Sequence, residues 1–132
     1  MLRMVKGKRG NGLKITYMGF EDLRVWQESM DVVDDVYQLL KEGALARDFD
    51  LKSQMRRAAV SIPSNIAEGD ELDTNKQANR HFYIARGSSA ELRTQLLIAK
   101  RQGYISDSKE QELNSRLKKI SSMLYRLIQA RK

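Results

Sequence analysis

Few side chains in this chain have the chemistry of a catalyst, and their spacing keeps them apart. His81 is the single histidine and there is no cysteine. That excludes thiolate chemistry, a disulfide framework and a Cys/His metal set. Di-iron bundles use Glu-x-x-His, and the residue three before His81 is Ala78. Asp34 and Asp35 are adjacent, so on a helix they point about 100° apart and cannot share a proton. Glu68 and Glu91 are single carboxylates without an evident partner. No Ser–His–Asp order and no HExxH motif occurs. The run GSSAEL has no strand before it and opens no helix, so it lacks the context of a phosphate loop. His81 lies on the shoulder of a core stripe, where a hydrogen-bonded structural histidine is expected. The expectation is a protein that is not an enzyme, with no cofactor, no metal and no small-molecule substrate.

The other residues with chemistry are cations. The net charge is +7, but it is unevenly placed. Residues 1–19 carry Arg3, Lys6, Lys8, Arg9 and Lys14 with no acid, and the remainder holds 19 basic against 17 acidic side chains. The basic pI therefore says little about the folded part. Within that part, Arg86, Arg93 and Lys100 stand seven residues apart on one helix. They form a candidate nucleic-acid-binding stripe that would hold phosphates without reading sequence. The alternative is that these long side chains cover apolar edges and pair with acids of the first helix such as Asp31 or Asp34.

Four elements must position these groups. The central one is Leu51 to Gly69. On a helical wheel Leu51, Ala58, Ala59, Ile62, Ile66 and Gly69 fall within about 60° of Met55, with Val60, Pro63 and Ala67 beside them. Pro63 inside a helix removes an N–H and crowds the carbonyl of Ala59. Ser61, Ser64 and Asn65 surround it and can satisfy the freed group, giving a kinked core helix or a polar notch. A first helix spans Glu21 to Glu42, ended by Gly43. Its expected core seam is Leu23, Trp26, Met30, Val33, Tyr37 and Leu40, with Val25, Val32, Val36 and Leu39 as a second stripe. A third helix from Asn75 to Gln102, capped by Asp73 or Thr74, buries Ala78, Phe82, Ala85, Ser89, Leu92, Leu96 and Ala99. Gly87 within it suits the close approach of another backbone. A fourth, capped by Asp107 or Ser108 with Glu110 or Gln111 completing a capping box, has Leu113, Leu117, Ile120, Leu124 and Leu127 as its seam. Residues 1–19 contain three glycines within Gly7 to Gly12 and no helical period, which predicts a flexible basic extension in front of one domain, 20–132. Leu13 to Tyr17 alternates enough to lie extended against a neighbour.

The run QMRRAAVSIPSNIAEG resembles the signature of the 23S rRNA intervening-sequence proteins. FEDLRVWQ upstream and FYIARGSSAELRTQLLIAKRQGYI downstream agree with it in order and spacing. The shared motif includes Arg56, Arg57, Pro63, Asn65, Glu68 and Gly69. The resemblance implies an all-α, antiparallel up-down-up-down four-helix bundle that assembles into pentamers, without a known activity. A similar pentameric bundle serves as a reverse-transcriptase accessory, a likeness of fold. The acidic link DELDTNK departs from relatives that carry basic or aromatic residues there, which argues against a phosphate grip at that end.

Apolar surface beyond one seam independently predicts self-association. The expected interface is Val25, Val32, Val36 and Leu39 on the first helix, Val60 and Ala67 on the second, and Tyr83, Ala90 and Leu97 on the third. No apolar run reaches the roughly 18 residues of a membrane span, and a cytoplasmic location is expected. Two functions stay open: a nucleic-acid-associated accessory protein, or a structural scaffold that binds a protein partner.

Overall fold

The computed structural model describes residues 2–6, 13–17 and 19–132. Helices α1 (Arg24–Leu39), α2 (Phe49–Glu71), α3 (Asn75–Arg101) and α4 (Asp107–Ala130) follow two short strands, β1 (Leu2–Lys6) and β2 (Leu13–Tyr17). Leu13 to Tyr17 is extended, as its alternation predicts. Its neighbour is β1, paired antiparallel from Leu2 opposite Tyr17 to Lys6 opposite Leu13. This pairing replaces the flexible extension expected for those two segments. The glycine-bearing stretch 7–12 lies outside the described residues.

The helices alternate in direction, as the order of their cross-contacts shows. Between α2 and α3, Ser61 meets Ser88 while Asn65 meets His81. Between α3 and α4, Asn79 meets Ile128, Ser89 meets Leu117 and Arg93 meets Asn114. Between α1 and α4, Glu28 pairs with Lys119 and Asp35 with Arg116. In each pair one number rises as the other falls, the signature of antiparallel neighbours. The result is an all-α, up-down-up-down bundle with α1 packed back onto α4.

Local chemistry sets the helix ends. The Asp48 carboxylate accepts from Leu51 N at 3.1 Å, Thr74 Oγ1 from Gln77 N at 3.2 Å and Ser106 Oγ from Lys109 N at 3.1 Å. The cap of α4 is thus Ser106, one residue before the expected pair. The register shift dissolves the capping box and leaves Glu110 buried under the helix. Leu23 is extended behind a 3₁₀ turn at Phe20–Asp22, so α1 begins three residues later than its apolar period suggests.

The core stripes of α2, α3 and α4 follow the sequence periodicity, with Met55, Ile62, Ile66, Phe82, Leu92, Leu96, Leu117 and Leu124 fully enclosed. Ile128 takes the last core position of α4, with Leu127 packed half-buried beside it. Helix α1 is turned about 100° from expectation. Val25, Val32 and Val36 are buried in the bundle with Ser29 among them, and Leu39 packs against that core. Met30 and Tyr37 are exposed, and Trp26 and Val33 are only partly covered. Valine and serine fit a close-packed interior that tryptophan, methionine and tyrosine would overfill. Burying Ser29 is cheap because its hydroxyl donates to the Trp26 carbonyl at 2.8 Å. Val25, Val32 and Val36 therefore hold the bundle together rather than forming an outer interface.

Candidate functional site

Two places gather polar side chains, and both lie on α3. The first is its seam with α2. Helix α2 runs unbroken through the buried Pro63. Two residues on, Asn65 Nδ2 donates to the Ser61 carbonyl at 2.9 Å and to Ser61 Oγ at 3.0 Å. Ser61 Oγ also accepts from Ser88 Oγ at 2.8 Å. Because the Asn65 amide nitrogen faces a carbonyl, its Oδ1 is the acceptor turned to His81, whose Nδ1 lies 3.0 Å away and carries the hydrogen. The Glu68 carboxylate lies 3.2 Å from the same nitrogen. Glu68 thus has the partner the sequence did not disclose. Both serines hydrogen-bond within this seam rather than to His81. The seam fixes the register of α2 against α3.

Gly69 closes the same seam. A Cβ there would come within 2.6 Å of Phe82 Cε1 and 2.9 Å of the Ala78 carbonyl. Arg56 and Arg57 face outward and are exposed. Of the motif residues, Pro63, Asn65, Glu68 and Gly69 all lie along the interior or the α3 side of the helix.

The stripe of Arg86, Arg93 and Lys100 lies along α4. The Arg86 guanidinium sits 5.5 Å from the centroid of the Tyr125 ring. Arg93 Nε donates to Asn114 Oδ1 at 2.6 Å. Lys100 Nζ lies 3.8 Å from the buried Glu110 and 3.9 Å from Asp107. All three lie against α4 rather than Asp31 or Asp34 of α1; only Lys100 is near an acid, while Arg93 meets the neutral Asn114 and the buried Arg86 Nε has no hydrogen-bond partner among the described residues.

The second place is the end of the bundle where α3 begins and α4 finishes. A groove of about 940 Å³ opens there. Lys76, Arg80, Arg131 and Lys132 supply its cations, Tyr83 and Ile84 its apolar floor, and Asn75 and Asn79 its amides. Among the described residues no acidic side chain lines it. Asp70, expected in an exposed acidic link, is instead inside the last turn of α2 and fully buried, with Arg131 Nη2 3.2 Å from its Oδ1. The acidic link is therefore less acidic at the surface than its composition. No sequence signal marks this pair, whose members stand 61 positions apart.

Among the described residues no group of three or more His, Cys, Asp or Glu could hold a metal ion. No helix there is long and apolar enough to cross a membrane. The outer surface carries further apolar side chains: Val60 on α2, Ile84, Leu97 and Ile98 on α3 and Tyr125 on α4. Ala90 is exposed and Ala67 half-buried. An apolar groove of about 350 Å³ between α1 and α2 is lined by Trp26, Met30, Val33, Val60, Pro63, Ser64 and Ala67.

These features define an antiparallel four-helix bundle with an internal polar seam. The profile of the 23S rRNA-intervening sequence proteins matches residues 21–126, and the chain belongs to that family. Among solved structures it is similar to a protein of unknown function from the S23 ribosomal protein family of Bacteroides thetaiotaomicron. The two share 21% identity with a TM-score of 0.72, over 79% of this chain and 97% of the other. That likeness is one of fold. No curated protein matches the chain.

Proposed function

We propose that this protein is a non-enzymatic, cytoplasmic bundle that acts as a homo-oligomer, most simply a pentamer as in the resemblance noted above. The observation that carries this is a pair of unlike apolar faces left open on one subunit. One is the α1–α2 groove around Met30 and Val60; the other is the outer side of α3 around Ala90, Leu97 and Ile98. Two different faces that meet head-to-tail generate a closed ring when the rotation closes. Val60, Ala67, Ala90 and Leu97 keep their place in the interface; the valines and Leu39 of α1 give way to Met30 and Tyr37, and Tyr83, which lines the groove at the start of α3, is assigned to that groove. Light scattering coupled to size exclusion tests it. A single species of about five subunits is expected, and Met30→Glu or Leu97→Glu each yields monomers. A wild-type monomer at concentrations on the order of tens of micromolar overturns it.

Within that assembly, we propose a nucleic-acid-associated accessory role over a purely structural scaffold. The groove's Lys76, Arg80 and Lys132 support this choice, with Arg131 paired to Asp70 beside them, since a scaffold for a neutral partner has no use for such a cluster. The Arg86, Arg93 and Lys100 stripe is the weaker contact, because all three side chains are half-buried along α4.

A further inference from the structure

We propose that the groove between the first turns of α3 and the last turn of α4 binds a single-stranded polynucleotide, an inference that rests on the nucleic-acid role above and gives it a site. Three observations point to that occupant. Lys76 and Arg80 are exposed and, among the described residues, neither has an ion pair, unlike Lys100 further along the helix. They stand one turn apart on the same face, about 6 Å between Cβ atoms, at the positive end of the α3 dipole. They present adjacent cations to a phosphate backbone.

Tyr83 lies one turn beyond Arg80 on the same face and is 48% exposed. A half-open aromatic ring flanked by cations is the platform on which unpaired bases stack, and a base paired in a duplex cannot reach it. Arg131 borders the groove from α4, already fixed in place by Asp70 and held 5.2 Å from the centroid of the Phe82 ring. A preorganised cation loses less freedom on binding.

The test uses the full-length protein and a fluorescein-labelled, mixed-sequence 12-nucleotide RNA, titrated by anisotropy at low and physiological salt. The double variant Lys76→Gln/Arg80→Gln is expected to weaken binding at least tenfold and to lower the salt slope by about 1.4, two single-strand phosphates' worth. Tyr83→Ala is expected to weaken the single strand by roughly tenfold and the matching duplex little. Lys41→Gln/Arg101→Gln, at the opposite end, is expected to leave the RNA affinity unchanged. Circular dichroism controls for folding in every variant. If the groove variants bind as wild type while Lys6→Gln/Lys8→Gln/Arg9→Gln does not, the groove is wrong and the nucleic-acid role survives. If wild type binds no RNA at low salt, both are lost. If a fluorescein-labelled oligoglutamate peptide binds as tightly and with the same sensitivity to Lys76→Gln/Arg80→Gln, the site is for acidic protein and the single-strand assignment is overturned.

Discussion

Asp70 and Arg131 meet at the closed end of the bundle, joining the last turn of α2 to the residue just beyond α4. The carboxylate is fully buried, the guanidinium nitrogen lies 3.2 Å from it, and the same guanidinium covers the Phe82 ring. Removing Arg131 takes an ion pair from a carboxylate that water cannot reach, and removing Asp70 takes it from the guanidinium. Arg131→Met should therefore cost about 3 kcal/mol or more, and Asp70→Asn somewhat less because Arg131 is nearer solvent. The double variant Asp70→Leu/Arg131→Met should recover part of the loss. Urea unfolding of the four proteins checks this; additive losses would mean the two groups do not couple.

Gly69 and Gly87 should respond in opposite directions to alanine. At Gly69 the new methyl meets the Phe82 ring and the Ala78 carbonyl, and that backbone cannot swing aside. Gly69→Ala should destabilise by about 1–3 kcal/mol. At Gly87 nothing lies within 4 Å, so Gly87→Ala should raise stability by up to about 1 kcal/mol through helix propensity. Thermal unfolding reads both. A loss at Gly87 in the assembled protein, with a gain in the Leu97→Glu monomer, would place a neighbouring copy against that face.

The Tyr104 hydroxyl donates to Asp48 Oδ2 at 3.0 Å, and this bond to the carboxylate raises the phenol above its ordinary value of 10.0. The folded state therefore favours protonated Tyr104. Its contribution is complete below the unfolded value and is lost as pH rises through the higher folded value. The melting temperature of wild type should fall more steeply above pH 10 than that of Tyr104→Phe. Parallel alkaline limbs for the two proteins would contradict the hydrogen bond.

Asn65 links Ser61 on its own helix to His81 across the seam. Asn65→Ala should cost about 1–2 kcal/mol, since it strands the Nδ1–H of His81 with Glu68 as its remaining acceptor. His81→Ala in that background should cost less than in wild type. Equilibrium unfolding of the cycle measures the coupling, expected near 1 kcal/mol; zero coupling would mean solvent replaces the bond.

The repeat of apolar residues along Leu51 to Gly69, Ala78 to Ala99 and Leu113 to Leu124 was enough to fix three helices and their buried faces, because each has one continuous stripe and a polar remainder. Short links then leave the antiparallel bundle as the simplest closure, and the three quoted segments place the family. Helix α1 resisted the same logic. It carries two apolar stripes, and only the space left by its neighbours decides that valines go in and Trp26, Met30 and Tyr37 stay near the surface. Pairing across helices was equally hidden. Glu68 with His81, Asp70 with Arg131, and Lys100 with Glu110 join residues far apart in the chain, and nothing in local spacing says which charges will meet. The sequence determined how many helices there are and which cations exist. Packing decided which of those cations are half-buried: Arg86, Arg93 and Lys100 lie along α4, while Lys76 and Arg80 are exposed at the open groove.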